Sequence, residues 1–186
     1  MSHQDPLELL TGIARILKAM RIPYIVSGGM AVLIWGRPRF TADIDIVIEL
    51  QRKDIEEFEW ALKALGRKGF IDKDTIIEAL STQGEFNFID GTTGVKVDFW
   101  ILKDSAFDIS RIKRKIKKTI LGETIWFSSP EDLILIKADW YRESQSSRQI
   151  EDIESIFSIS GDILDRKYIT RWAEVLGVSD ILKKFW

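Results

Sequence analysis

The chain of 186 residues predicts a mixed α/β fold: a mixed, twisted sheet with helices mainly on one face, extended by a small C-terminal helical bundle. Three observations carry this. "ADIDIVIEL", "EFNFID" and "VKVDFWIL" alternate polar and apolar residues with the two-residue period of strands. Between them, apolar residues recur at helical spacing. Beyond residue 128 only helical patterns remain, which divides the chain into an α/β core over 1–128 and a helical extension over 129–186, either packed on the core or merged with it into one compact domain.

The elements follow in order. Leu7, Leu10, Ile13, Ala14 and Leu17 mark an amphipathic helix ending near Met20. "IPYIVSGG" reads as a short buried strand with Pro23 at its beginning, and "GGMAVLIWG" as a helix closed by Gly36. Gly28 and Gly29 therefore sit at a strand-to-helix turn. After an Arg37-Pro38-Arg39 loop, Asp43, Asp45 and Val47 share one strand face and Ile44, Ile46 and Ile48 the other. A helix from Lys53 to about Gly66 buries Ile55, Phe58, Leu62 and Leu65, and a shorter helical piece spans Thr75 to Leu80. "EFNFID" and "VKVDFWIL", joined by Gly91-Thr92-Thr93-Gly94, form a hairpin whose second strand turns Lys96, Asp98 and Trp100 to one side. That strand can lie beside the one carrying Asp43 and Asp45. "RIKRKIKKTI", Gly122 and "TIWFSSP" form a strand pair, although Ile112, Ile116 and Ile120 also permit a helix. Ser129-Pro130-Glu131-Asp132 is a helix start with Ser129 as N-cap and Pro130 at the first helical position. Helices over 130–142, 148–159 and 165–176 complete the chain.

Composition narrows the chemistry. With 45% hydrophobic and 30% charged residues the chain can bury a core, while a net charge of −2 leaves any polyanion binding to a local patch. There is no cysteine, and the single histidine is His3, which excludes disulfides and thiolate catalysis and leaves imidazole no part. No apolar run approaches the roughly 20 residues that span a bilayer, so the expectation is a soluble cytoplasmic protein.

Two carboxylates two apart on one strand, joined by a third from a neighbouring strand, place several hard oxygen ligands on one patch. Repulsion raises the pKa of one or more of them unless a cation is present, which favours Mg2+ or Mn2+. Magnesium completes its shell with water and substrate phosphates, the arrangement of phosphoryl transfer, and Asp98 can assist deprotonation of an acceptor hydroxyl. A turn lacking two Cβ atoms lets phosphate oxygens reach backbone N–H groups at a helix start. Each feature alone is common. The ordered set of strand, Gly-Gly, helix, Asp-x-Asp strand and hairpin Asp is not.

With these residues in view, "YIVSGGMAVLIWGRPRFTADIDIVI" and "VKVDFWI" resemble the DNA polymerase β-like nucleotidyltransferase superfamily, whose signature is a Gly-Gly or Gly-Ser turn, an Asp-x-Asp pair and a third acid. "SSPEDLILIKADWY" and "RQIEDIESIF" resemble its AbiEii-type, abortive-infection branch, over roughly residues 22–160 in all. The resemblance implies Asp43, Asp45 and Asp98 as catalytic and metal-binding acids and Ser27, Gly28, Gly29, Arg39 and Lys137 for the nucleotide. Thr41 and Asp152 are further candidates. It implies transfer of a nucleoside monophosphate from an NTP to a hydroxyl on RNA such as tRNA, or on protein, in a branch that includes toxins with a cognate antitoxin. Other branches modify small antibiotics. In place of the branch's Lys-Asp pair this chain has Arg148-Gln149.

Several residues keep two readings. Lys137 either approaches nucleotide phosphates or snorkels from an apolar helix. Asp152 either serves the site or makes a surface ion pair with Arg148, four residues away. Arg39 reaches a phosphate or is solvated, and Thr41 caps the turn or contacts a phosphate. Arg111, Lys113, Lys115 and Lys117 would line one strand face, guiding an RNA end or protecting an exposed edge. Trp60, Trp140 and Trp172 read as core, whereas Trp35 and Trp100 lie nearer the acids. Two other functions remain open: a catalytically inactive nucleotide- or partner-binding protein retaining the fold, and a metal-dependent phosphohydrolase, which would give the glycine turn no task.

Overall fold

The computed structural model describes residues 6–65 and 69–185; His3, the Gly66 helix end and Trp186 lie outside them. Helix α1 (Pro6–Ala19) leads into β1 (Tyr24–Val26), α2 (Gly28–Trp35) and β2 (Asp43–Ile48). Helices α3 (Ile55–Leu65) and α4 (Lys73–Thr82) precede the hairpin of β3 (Glu85–Ile89) and β4 (Lys96–Ile101). Then come α5 (Ala106–Lys113), a second hairpin of β5 (Ile116–Ile120) and β6 (Glu123–Phe127), and helices α6 (Pro130–Ser144), α7 (Ser147–Ser160), α8 (Arg166–Leu176) and α9 (Ser179–Leu182).

The strands form one mixed sheet in the order β3-β4-β2-β1-β6-β5. β1 runs antiparallel to β2 and parallel to β6, and β2 runs parallel to β4. The expected neighbour relation between the two acid-bearing strands is therefore present, with Asp45 directly opposite Asp98. The four-residue loop between β3 and β4 closes on Asp90, whose carboxylate accepts the Thr93 N–H at 2.8 Å and its hydroxyl at 2.6 Å.

The apolar face of the sheet explains the strand pattern. Ile44, Ile46, Ile48, Val97 and Phe99 are buried on it. Phe58 of α3 meets Phe99 edge-on at 5.3 Å, and Phe99 stacks on Phe86 at 5.1 Å. Each such ring removes enough apolar surface from water to contribute about 2 kcal/mol. α1 packs beside α3 on β6, and α4 lies against α3 and β3. Helices are not confined to this side. α6 folds back so that Ile136 and Trp140 share a cavity with Val47 and Trp100 on the acid-bearing face. α2, apolar all round, packs against β2, α6 and α7.

The segment after Asp104 resolves the open choice between helix and strands by containing both. Ser105 caps α5 by accepting the Asp108 N–H at 3.0 Å, the chain turns at Arg114 and Lys115, and β5 begins at Ile116. The predicted basic strand face therefore does not form. Arg111 lies buried on α5, 3.5 Å from Asp108, and Arg114 pairs with Glu131 at 2.9 Å. Trp60 is likewise not core: it is 71% exposed, because α3 turns Ile55, Phe58 and Leu62 inward. The Ser129 cap is as expected, accepting the Asp132 N–H at 3.1 Å.

Candidate active site

The pleat turns Asp43, Asp45 and Val47 to the face opposite the isoleucines, and the parallel register sets cross-strand rows upon it. Asp43 lies opposite Lys96, Asp45 opposite Asp98, and Val47 opposite Trp100. The antiparallel edge strand extends two of these rows, placing Asn87 beside Asp98 and Glu85 beside Trp100. Glu85 and Asn87 escaped the sequence reading because nothing in a lone strand says which residue of its neighbour it will meet. The alternation of "EFNFI" did show that they face away from the core.

The glycine turn stands against the acids. The Ser27 N–H donates to the Asp45 carbonyl at 2.9 Å, tying the end of β1 to β2. Gly28 has φ +55°, and a Cβ there would fall 1.7 Å from Asp45 Oδ2. A Cβ on Gly29 would fall 2.2 Å from Thr41 Oγ1. Only glycine therefore lets the start of α2 approach the carboxylates. The Ser27 hydroxyl is buried and caps nothing, having no hydrogen-bond partner among the described residues.

Burial raises the Asp45 carboxyl above its ordinary range; Asp98 and Asp43 push it further up, while Lys137 opposes the rise. The Trp100 indole N–H also pulls Asp45 down, although it makes no hydrogen bond of good geometry. Burial, Asp98 and Asp45 likewise raise Glu85. Lys96 sits on Asp98, Nζ to Oδ2 at 2.9 Å, and is itself raised by that bond. No three carboxylates or imidazoles among the described residues stand close enough together to hold a metal ion. The predicted triad thus shares one face without being drawn into a ligand cage.

A second group of charges lies beneath. Asp152 is buried and receives two cations: Arg39 through Nε at 2.6 Å and Nη2 at 2.8 Å, and Lys137 through Nζ at 2.8 Å. The anticipated surface ion pair between Asp152 and Arg148 does not form. Burial lowers Lys137, and Asp152 restores part of the loss. For Asp152 burial acts upward but is outweighed by Arg39 and Lys137, so its carboxyl falls below the ordinary range. Two cations on one carboxylate leave a positive excess, and both cations feel the charge of Asp45. Lys137 is thus neither snorkelling nor surface-exposed, and Arg39 is anchored rather than solvated.

Beside the acid rows lies a cavity of about 380 Å³ between the sheet and helices α5, α6 and α8. Its walls include Ser27, Val47, Trp100, Arg111, Asp139 and Trp140. Trp100 and Trp140 meet at 6.0 Å between ring centroids. Trp140, expected in the core, is instead partly exposed. Trp35 is buried, its indole donating to the Ser128 carbonyl at 2.8 Å.

Solved structures of nucleotidyltransferases share this mixed α/β fold. The chain aligns with ANT(2'')-Ia in complex with adenylyl-2''-tobramycin at TM-score 0.58 and 18% identity, covering 92% of this chain and 94% of that one. It aligns with the lincosamide antibiotic adenylyltransferase LnuA, bound to lincomycin, at TM-score 0.52 and 17% identity, covering 80% and 96%. An antigenic nucleotidyltransferase-like protein from Paracoccidioides brasiliensis aligns at TM-score 0.52 and 18% identity over 98% and 93%. At these identities the likeness is one of fold. No curated protein matches the sequence. The model of the family described as "Nucleotidyl transferase of unknown function (DUF2204)" matches residues 7–183, and the chain belongs to that family.

Proposed function

We propose that the protein transfers a nucleoside monophosphate from an NTP to an acceptor hydroxyl, with Asp43, Asp45 and Asp98 as the reacting carboxylates. The observation that carries this reading is the contact of the glycine turn with Asp45, where a single added Cβ would overlap the carboxylate. A phosphate seat and an acid pair that share a wall suit an α-phosphate held between them. Ser27, Gly28 and Gly29 would seat the triphosphate at the start of α2, with Thr41 packed over Gly29. The positive excess of Arg39 and Lys137, fixed by Asp152, would offset its charge.

The acceptor oxygen forms a bond to the α-phosphorus as the bond to the bridging oxygen of the β-phosphate breaks. Pyrophosphate leaves with that electron pair, and the hydroxyl proton passes to Asp98. A divalent cation suits the donor set, since burial and like charge make ionised Asp45 costly and carboxylate oxygens are hard ligands. Asp43, Asp45 and Asp98 would hold it once Lys96 releases Asp98. Bound there, Mg2+ or Mn2+ would supply charge neutralisation at the phosphates.

Replacing Asp43 and Asp45 together by alanine should abolish pyrophosphate release from NTPs while circular dichroism remains that of a folded protein. Persistent NTP turnover in that variant would remove the assignment.

Two acceptor classes are in view. The motifs of α6 and α7 support the AbiEii-type branch, with an RNA or protein acceptor and an antitoxin partner, since Lys137 and Asp152 meet at 2.8 Å. The single strand face of Arg111, Lys113, Lys115 and Lys117 that favoured RNA does not form, however, because Arg111 and Lys113 lie on α5, Arg111 buried, and only Lys117 of the four lies in β5. A small-molecule acceptor is supported by the cavity beside the acids and by the likeness to enzymes bound to adenylyl-tobramycin and lincomycin. Transfer of label from each α-labelled NTP to tRNA, to protein or to a panel of small hydroxyl compounds separates them.

A further inference from the structure

We infer that the cavity between the sheet and helices α5, α6 and α8 is a binding site for a small hydroxylated compound that carries a ring with an apolar face and a protonated amine. Its use as the acceptor site rests on the nucleotidyl-transfer reading; the binding site itself does not.

Placement comes first. Val47 and Trp100 follow Asp45 and Asp98 by two residues on the same face and remain in register, so the cavity begins about 7 Å along the strands from the acid pair. A molecule seated there can extend a hydroxyl to the acids. The cavity lies on the same strand as Asp98, the carboxylate assigned to the acceptor proton. Its roughly 380 Å³ falls in the range of small-molecule sites, about 300–1,000 Å³, and is too small for a folded macromolecule.

The walls specify the ligand. Ser27, Trp100 and Arg111 line this cavity; Ser27 Oγ and Arg111 Nε are buried within its wall without hydrogen-bond partners among the described residues, whereas the Trp100 indole N–H acts on Asp45. A ligand whose hydroxyl or ether oxygens enter between these side chains would give Ser27 and Arg111 the partners they lack. Trp100 and Trp140, in mutual contact, form a continuous aromatic wall of the kind on which the C–H face of a saturated ring packs. The lining carries Asp108, Asp139 and Glu143 against Lys103 and Arg111, and Arg142 on Asp139 brings the charges level. Arg111 already faces Asp108 and Arg142 holds Asp139 at 2.5 Å. Glu143 has no ion-pair partner among the described residues and raises Asp139 by repulsion. A ligand ammonium beside Glu143 and Asp139 relieves that repulsion, whereas a phosphodiester chain would add to it.

The test uses the full chain and a matched pair of probes, phenyl β-glucosaminide and phenyl β-glucoside, with the ribotrinucleotide CCA as the polyanionic alternative, followed by tryptophan fluorescence and calorimetry. The aminated probe should bind about tenfold tighter than its hydroxyl counterpart. Glu143→Gln should erase that difference without shifting the melting temperature, since Glu143 is exposed. Trp140→Leu should weaken both probes and the fluorescence response. Probe affinities unchanged in both variants, equal affinity for the two sugars, or tighter binding of the trinucleotide would each overturn the inference. The Asp43→Ala, Asp45→Ala double variant should bind the aminated probe as the native protein does. If that holds but native protein with NTP and Mg2+ never modifies the probe or releases pyrophosphate, the site stands and its acceptor role falls.

Discussion

At the scale of single residues, Asp45 and Gly28 are the most constrained positions. Asp45 is protonated more readily in the folded chain than in the unfolded one, so the folded state binds more protons than the unfolded one in that range. Stability should therefore fall as pH rises above the ordinary carboxylate value of about 3.9. Asp45→Asn should remove that dependence and raise the metal-free melting temperature at neutral pH while eliminating transfer, a trade of stability against function. Thermal melts of both proteins across weakly acidic pH would check it, and a lower melting temperature for the variant at pH 7 would refute it. Gly28→Ala should destabilise the protein by about 1–3 kcal/mol, since it combines a left-handed backbone with a steric overlap on Asp45. Urea unfolding measures the loss. The glycine pair and the Asp-x-Asp spacing were legible in the sequence because each is local. That Gly28 touches Asp45 was not, since it depends on how β1 and β2 pair.

At the scale of elements, the charge cluster around Asp152 joins the loop before β2 to α6 and α7. Replacing Asp152 by alanine leaves the buried Lys137 without its counter-charge and the partly exposed Arg39 without its anchor, which should cost about 3–5 kcal/mol. Because Asp152 sits below the ordinary carboxylate range, its contribution is present at neutral pH and is lost as pH falls through the folded-state value. The loss in the variant should accordingly shrink in acid, as denaturant midpoints at pH 7 and at about pH 3 would show. Reading the sequence located α6 by its Ser129-Pro130 start and α7 by its apolar spacing, but a surface partner for Asp152 followed naturally from helix periodicity. Its true partners come from elsewhere in the chain. α5 was obscured because a helix and a strand abut at Arg114, and Ile112, Ile116 and Ile120 bridge the two patterns. The Ser105-x-x-Asp108 cap was the one local signal for it.

For the whole molecule, the apolar face of the sheet was readable from two-residue alternation, whereas strand order was not. The parallel pairing of β1 with β6 joins Val26 to Phe127, a contact that no local pattern encodes. Ligand linkage operates at this scale. Mg2+ with a non-hydrolysable NTP at about 100 times its dissociation constant should stabilise the native protein by about 2.7 kcal/mol, raising its melting temperature. The Asp43→Ala, Asp45→Ala variant should show no such rise, and an equal shift in both would place the nucleotide elsewhere. A fragment ending at residue 128 would lack the helices that cover Val47 and Trp100, and it should aggregate on expression, a result that centrifugation and gel filtration would reveal.

The reach of the Asp152 clamp has a bearing on when the site takes shape. Arg39 is synthesised early, but the carboxylate that holds it lies 113 positions later. On the ribosome, the glycine turn and all three acids emerge long before α7 does. Until α7 is made, Arg39 lacks its anchor and Lys137 its counter-charge. The pair of cations proposed to neutralise phosphate charge thus takes its final form only once Asp152 has been made.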